Sequence, residues 1–308
     1  MIDPSECKRR FAGVYSALFT AYDDQGNVSP DRIRRLIDFQ VDRGLRGAFI
    51  TGSTGEGLLL TDEERKKVAE TAVAALKGRG LSIVHVGHTS TQAAVELARH
   101  AESIGADMVS SVPPIYYPVG PEGVLLHYRR IAEGVRLPVL VYNIPATTGV
   151  TFSDELWLKL FEIPNVAGMK YTGSDLFYMR NILELLGPRA LVLSGSDEMF
   201  LPALVMGCDG SIGTTQNVAP EWFVRIRESF LAGDVETAQR LQFEVNRFIK
   251  FWLGHGRMAA IKAAAATRGL PVGGVRPPLP PGTPEDLAAV EQFARGWFAS
   301  VPGAVVQS

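Results

Sequence analysis

Short apolar segments alternate with amphipathic segments about eight times along the first two thirds of the chain. Several of the apolar segments are apolar on both faces, which is typical of parallel strands covered by helices. They begin at Gly13, Gly47, Ser82, Asp107, Pro138, Val166, Leu191 and Asp209. Eight such strand–helix units predict an α/β fold, the (β/α)8 TIM barrel. The alternative is a doubly wound open sheet, but no GxGxxG motif follows the first strand, so the barrel is favoured.

Three of the amphipathic segments carry clear helix start signals. Ser29 precedes Pro30, a proline at the first helical position. Thr61 is followed three residues later by Glu64, which forms a capping box. Ser153 is the expected cap of a third helix. These signals fix where the helices between the strands begin.

A helical pattern without strands occupies the C-terminal part of the chain, with breaks near Gly233 and Gly254. A proline-rich stretch then leads to a final helix capped by Thr283. We therefore predict a catalytic barrel over 1–218 and an appended C-terminal helical segment over 219–308. The segment is expected to pack on the barrel, so that both form a single structural unit.

Charge and composition exclude several classes of partner. The 308 residues carry a formal net charge of -2, so no general attraction to nucleic acid or anionic membranes is expected. No apolar run approaches the ~20 residues that span a bilayer. The N-terminal stretch is charged and lacks the apolar core of a signal peptide. The sequence thus predicts a soluble, cytoplasmic protein with no nucleic-acid or membrane partner.

Metal and cofactor signatures are missing from the sequence. Cys7 and Cys208 are the only cysteines, too few for a cysteine zinc site. The five histidines show no ligand spacing such as HExxH, and His85, within a strand, is expected to be an interior, hydrogen-bonded residue. GxxxxGK[ST] and GxSxG are also absent, which argues against a phosphate loop and a serine hydrolase. We expect neither a metal nor a bound cofactor.

The reacting groups of such barrels lie at the C-terminal ends of the strands. The segments found there are TGSTGEG, PPIYYP, YNIPATTG, MKYTGSD, SGSDE and IGTT. Each has an ordinary explanation: Lys170 could reach out to water, and Asp197 and Glu198 could cap the next helix. Because all of them converge on one mouth of the barrel, a shared functional role is favoured.

Lys170 suggests a specific chemistry. A lysine at a barrel mouth without a metal or phosphate loop is typical of Schiff-base formation with a carbonyl substrate. The attacking amine must be neutral, and the apolar neighbours Val166, Ala167 and Met169 are expected to favour that form. Tyr142, at the end of the neighbouring strand, has the reach to move a proton at the carbonyl oxygen. The amides and hydroxyls of 52–55 suit a small carboxylate.

At these residues the sequence resembles the pyruvate-dependent class I aldolases related to dihydrodipicolinate synthase and N-acetylneuraminate lyase. The matching motifs are G-S-T-G-E at 52–56, Y-N-I-P at 142–145 and G-M-K at 168–170. They occur in the family's order, and the likeness extends over almost the whole chain. The resemblance implies a reversible cleavage of a 2-keto acid to pyruvate and an aldehyde, with no external cofactor. It also implies a homotetramer, a dimer of dimers.

The resemblance carries residue roles with it. Lys170 would form the imine with C2 of pyruvate, and Tyr142 would shuttle the proton. Ser53 and Thr54 would hold the pyruvate carboxylate. Tyr116, in PPIYYP, would lie at the interface between neighbouring subunits and support Tyr142. The remaining predicted substrate contacts, which would meet the hydroxyls and glycerol end of a sugar acid, are Thr172, Gly195, Asp197, Glu198 and Thr214.

The sequence leaves several alternatives open for the substrate within the family. Dihydrodipicolinate synthases carry an arginine two residues after Y-N-x-P, and here that position is Thr147, which cannot bind a carboxylate in bidentate fashion. The motifs around Lys170 and Asp197 are more similar to those of N-acetylneuraminate lyase. A 2-keto-3-deoxy sugar acid aldolase or dehydratase is a further alternative. A non-catalytic sugar-acid sensor on the same barrel is the last.

Overall fold

The computed structural model describes residues 4–299 and shows a closed barrel of eight parallel strands. The strands follow one another around the barrel in chain order, and the eighth pairs with the first. They are β1 (Gly13–Ala17), β2 (Gly47–Ile50), β3 (Leu81–His85), β4 (Met108–Ser111), β5 (Val139–Asn143), β6 (Val166–Tyr171), β7 (Leu191–Ser194) and β8 (Gly210–Gly213). The predicted (β/α)8 TIM barrel is confirmed.

Thirteen α-helices accompany these strands within 4–299. They are α1 (Pro4–Phe11), α2 (Pro30–Val41), α3 (Asp62–Leu76), α4 (Thr91–Ser103), α5 (Gly120–Gly134), α6 (Pro145–Thr148), α7 (Asp154–Phe161), α8 (Leu176–Leu186), α9 (Phe200–Val205), α10 (Pro220–Leu231), α11 (Val235–Gly254), α12 (Met258–Ala266) and α13 (Pro284–Ala299). The first and the sixth were not anticipated from the sequence.

The predicted helix caps are present. The Thr61 hydroxyl accepts from the amide of Glu64 at 3.2 Å, and the Glu64 carboxylate accepts from the amide of Thr61 at 3.0 Å. Ser153 accepts from an amide of α7, and Thr283 accepts from an amide of α13. Each cap satisfies amides that a helix N-terminus leaves without an intrahelical partner. The caps therefore set the length of the loops that enter the helices.

Two apolar cores hold the barrel together. The larger lies between the strands and the surrounding helices and includes Met169 of β6. The smaller fills the barrel interior and includes Phe49 and Tyr142. Phe11 of α1 belongs to this interior core, and Lys8 of α1 bonds the carbonyl just before β7. Helix α1 thus lies across the N-terminal ends of the strands, and the opposite end remains the accessible mouth.

The C-terminal helices pack on one another through stacked aromatic rings, and α10 joins them to the barrel. Trp297 of α13 stacks on Trp222 of α10 with ring centroids 4.3 Å apart, and on Phe248 of α11 at 4.6 Å. Phe293 of α13 stacks on Phe251 at 4.1 Å. Helix α10 also contacts β1, as an outer helix of the barrel does. Breaks after α10 and after α11 occur where the sequence predicted them.

Two features are not found in residues 4–299. None of the helices in that range is both long and apolar enough to cross a lipid bilayer. Over the same residues, no three His, Cys, Asp or Glu side chains lie together in a way that could hold a metal ion.

Candidate active site

Lys170 is buried inside the mouth of the barrel. Only 3% of its surface is exposed, so it is not a strand-end lysine that reaches out to water. It lies opposite Tyr142 in the register of β5 and β6. Its Nζ is 4.1 Å from the centroid of the Tyr142 ring and 4.2 Å from that of Phe49. The amine is therefore enclosed by aromatic faces rather than by solvent.

Neighbouring groups shift the pKa of the Tyr142 hydroxyl. Burial by itself raises the pKa of this phenol. The charge of Lys170 and hydrogen bonding from Ser53 outweigh burial, so the pKa of Tyr142 lies below its ordinary value. A phenol of lowered pKa, in hydrogen-bonding contact with an amine, can both give and take a proton there.

His85 supports this arrangement from one side. Its ring lies edge-on to that of Tyr142, with centroids 5.9 Å apart. The Val112 amide donates to Nε2 at 3.3 Å, which leaves Nδ1 to donate to the Thr51 carbonyl at 3.2 Å. Burial and the nearby cations lower the pKa of His85 to about 3. The predicted interior histidine is confirmed, and it is neutral at physiological pH.

Gly195 leaves the space that the Lys170 and Thr172 side chains occupy. A Cβ atom at this position would lie 1.8 Å from Thr172 Oγ1 and 3.1 Å from Lys170 Cε. The Gly195 amide donates to the carbonyl of Tyr171 at 2.7 Å, which keeps the backbone close to β6. No other residue fits here without moving Thr172.

The loop after β2 brings hydroxyl groups to the same mouth. Thr54 Oγ1 lies 2.6 Å from Thr214 Oγ1, so the loops after β2 and β8 meet. Ser53 is exposed at the mouth and reaches the Tyr142 hydroxyl. The predicted carboxylate-binding pair and the predicted Thr214 are thereby brought within one cluster.

Asp197 and Glu198 lie in different environments. Asp197 is buried, and its Oδ2 accepts from the Thr215 amide at 2.7 Å. Its Oδ1 accepts from the Gln216 side chain at 3.1 Å in the amide orientation that satisfies both groups. Burial, opposed by the Thr215 hydrogen bonds, raises the pKa of Asp197 to about 6. Glu198, by contrast, is exposed. Asp197 therefore holds the loop after β8.

Tyr116 does not join the cluster within a single chain. Its side chain is 87% exposed, and its ring contacts that of Tyr117 at 5.0 Å. Its φ of 78° is in the left-handed region, which non-glycine residues rarely adopt. Thr147, at the position of the synthase arginine, is exposed on the short helix α6.

Sequence reasoning missed the aromatic enclosure of the amine. Phe49 and His85 lie on strands that are distant in sequence from Lys170, and only barrel closure brings them together. Their alternation along β2 and β3 was the one available signal, because inward-facing residues recur every second position. Alternation predicts which residues face the barrel interior, but it does not predict which of them contact one another.

The fold and this convergence of side chains define a (β/α)8-barrel enzyme with its site at the C-terminal mouth. Residues 10–295 match the model of the dihydrodipicolinate synthetase family. The N-acetylneuraminate lyase of Rhizobium meliloti (strain 1021) is 38% identical over 283 residues, 92% of this chain and 94% of that protein. The chain belongs to the dihydrodipicolinate synthetase family, as its motifs predicted.

Two solved structures show the same fold. A catalytic-lysine mutant of the Ruminococcus gnavus sialic acid aldolase superposes with a TM-score of 0.91 at 30% identity, over 94% of this chain and 96% of that one. CdNal from Clostridium difficile, in complex with mannosamine, superposes with a TM-score of 0.90 at 32% identity, over 93% of this chain and 99% of that one.

Proposed function

We propose that the chain is a Schiff-base aldolase that reversibly cleaves N-acetylneuraminate or a closely related 2-keto acid to pyruvate and an aldehyde. One observation carries the proposal: a buried lysine amine lies against a tyrosine whose pKa is lowered, at the open mouth of the barrel. The names of the relatives support this choice of substrate.

The reaction begins with attack of Lys170 Nζ on C2 of the keto acid. The carbonyl oxygen takes protons and leaves as water, which gives an imine. Cleavage of the C3–C4 bond then sends its electron pair toward the imine nitrogen, while the C4 hydroxyl loses its proton and becomes the aldehyde. The resulting enamine is protonated at C3, and water hydrolyses the imine to pyruvate and free Lys170. Because the imine nitrogen is the electron sink, the chain needs no cofactor for this chemistry.

Tyr142 is the proton carrier in these steps. Its hydroxyl is in hydrogen-bonding contact with Lys170 and Ser53. A phenol whose pKa is lowered gives up its proton more readily and can take one back in the next step. Ser53 and Thr54 bind the carboxylate of the keto acid through hydroxyl and amide groups at the loop after β2.

Polar groups along the mouth suit a polyhydroxy substrate. Thr172 and Thr214 flank the cluster around Lys170, and Glu198 is exposed beside it. Carboxylates and hydroxyls are suitable partners for several sugar hydroxyls. Thr147 cannot make the charged, bidentate contact with the carboxylate of an aldehyde substrate that an arginine makes. Dihydrodipicolinate synthase is therefore only the second candidate. A 2-keto-3-deoxy sugar acid is the other alternative.

Tyr116 is proposed to act between subunits. Its exposure and left-handed backbone support this, because strained conformations cluster at functional sites. It would approach Tyr142 of a neighbouring copy in a homotetramer. We further propose a cytoplasmic location, which is the expectation drawn from the charge and composition of the sequence.

Borohydride trapping tests the proposal. Pyruvate and sodium borohydride should add the mass of pyruvate less one oxygen atom to the wild type, and nothing to Lys170→Ala. Lys250→Ala, which removes an exposed lysine of α11, is the matched control and should still be trapped. A folded wild type that gains no mass would refute the mechanism. Release of pyruvate from N-acetylneuraminate, compared with 2-keto-3-deoxy acids, then decides the substrate.

A further inference from the structure

A buried ion pair joins the C-terminal helical segment to the loop that carries Ser53 and Thr54. Lys262 of α12 contacts the carboxylate of Glu56, and their side chains are 1% and 0% exposed. Lys262 also donates to the carbonyls of Thr20, at 3.1 Å, and Gly274, at 2.7 Å. All three ammonium protons therefore have partners inside the protein.

The second oxygen of Glu56 is also engaged. It accepts from the backbone amide of Arg276 at 2.7 Å. The Arg276 guanidinium makes two contacts of 2.6 Å with Glu64, which caps α3. Glu56 is thus held by α12 and by the proline-rich stretch that follows it, more than 200 residues further along the chain.

The loop that Glu56 ends is unusually tight. Thr51 and Glu56, which bracket the loop, have φ angles of 56° and 55°, in the left-handed region. A Cβ atom at Gly57 would lie 1.9 Å from the carbonyl oxygen of Thr51, so the two ends of the loop touch. Thr51 Oγ1 holds the first end by donating to the His85 carbonyl at 2.9 Å. The ion pair holds the other end.

A buried ion pair is a poor means of adding stability, because desolvation offsets the attraction between the charges. It is, however, directional, and a left-handed backbone at a non-glycine residue persists only where its surroundings impose it. Resting on the proposed function, we infer that Glu56 and Lys262 are positioning residues. They keep Ser53 and Thr54 preorganised for the substrate carboxylate, so the C-terminal segment is part of the active-site framework.

The test uses the double variant Glu56→Gln/Lys262→Met, which removes both charges and leaves none unpaired. Its matched control is Glu221→Gln/Arg268→Met, which removes another ion pair, of 2.8 Å, between the end of α12 and α10. Neither residue of the control pair belongs to the loop at 51–57. Each double variant lacks one ion pair, and both are compared with the wild type as full-length chains.

Two measurements are made on each variant. Hydrogen exchange of the amides in 51–57 should be faster in Glu56→Gln/Lys262→Met than in the wild type, and unchanged in the control. The pyruvate concentration that half-saturates borohydride trapping should rise by about 10-fold or more, because small displacements of binding groups are costly. The extent of trapping at saturating pyruvate should stay the same, since Lys170 is intact.

The outcomes separate the two proposals. A wild type that is not trapped refutes the proposed function, and the exchange measurement still decides whether the pair holds the loop. Unchanged exchange in the folded Glu56→Gln/Lys262→Met variant would overturn the inference. Faster exchange with unchanged half-saturation would also overturn it, because the loop would then be held for a reason other than binding the carboxylate.

Discussion

Replacing Asp197 by Asn should stabilise the folded protein at neutral pH. Burial raises the pKa of this carboxyl from 3.8 to about 6. Between those pH values the folded chain retains a proton that the unfolded chain has already lost, so stability falls as the pH rises through this window. At 1.36 kcal/mol for each pH unit, the wild type loses about 3 kcal/mol by pH 7 and about 1 kcal/mol by pH 4.5.

The structure can accommodate the amide without a clash. The Asn oxygen can accept from the Thr215 amide in place of Asp197 Oδ2, a contact of 2.7 Å in the wild type. The Asn nitrogen would face Gln216, whose side-chain amide can turn so that its oxygen accepts the new hydrogen bond, with the loss of the 3.0 Å hydrogen bond from Gln216 to the Gly213 carbonyl. The substitution therefore removes a buried charge and keeps the Thr215 hydrogen bond to the loop after β8, while the loss of the Gln216–Gly213 hydrogen bond is the same at both pH values and leaves the pH dependence unaffected.

The assay is urea denaturation of the wild type and of Asp197→Asn at pH 4.5 and pH 7. We expect the free energy of unfolding of the variant, relative to the wild type, to increase by about 2 kcal/mol between the two pH values. Glu198→Gln removes an exposed carboxylate next in the chain and should show a much smaller change. A difference for Asp197→Asn that is the same at both pH values would refute the reasoning.

Two further predictions concern single side chains. Gly195→Ala should lower kcat/KM for cleavage of the keto acid by about 100-fold with the fold retained, because its Cβ would lie 1.8 Å from Thr172 Oγ1. The control is Gly254→Ala, whose Cβ would have no atom within 4 Å. Equal kcat/KM values for the two variants would contradict this prediction. Burial lowers the pKa of His127 from 6.5 to about 4, so the neutral ring stabilises the fold above pH 6.5, and that contribution is lost as the pH falls toward 4. His127→Gln should reduce the loss of unfolding free energy between pH 6.5 and pH 4 by about 3 kcal/mol. An unchanged loss would show that His127 is not responsible.

Local patterns were sufficient for the elements of the fold. All eight strands and the caps at Ser29, Thr61 and Ser153 were predicted, because strand alternation and helix capping depend on residues a few positions apart. Helix α1 was missed because its role is tertiary: it buries Phe11 in an interior core formed by strands from the whole chain.

The surroundings of Lys170 show the limit of neighbour-based reasoning. The sequence predicted an apolar site from Val166, Ala167 and Met169, yet Val166 and Met169 belong to the outer core, between strands and helices. Adjacent residues of a strand point to opposite faces, so Met169 cannot surround the amine. The rings of Phe49 and Tyr142, from two other strands, enclose it instead.

Asp197 and Glu198 give a second example of contacts that neighbouring residues in the sequence do not predict. Gln242 of α11 donates to the Asp197 carbonyl at 3.0 Å, and Asn246 donates to the Glu198 carbonyl at 3.1 Å. Nothing in the sequence near either acid indicates this, because the contacts cross more than 40 residues. The C-terminal helices thus hold two separate loops at the mouth of the barrel.

By itself the sequence determined the barrel, its eight strands and the segments that follow the strand ends. These follow from periodicity, from capping and from the rule that the C-terminal ends of parallel strands meet. Only the tertiary structure decided that Lys170 is buried between two rings and that Lys262 and Glu56 form a pair. Such contacts depend on strand register and helix packing, which the chain settles only when it closes the barrel and excludes water from those groups.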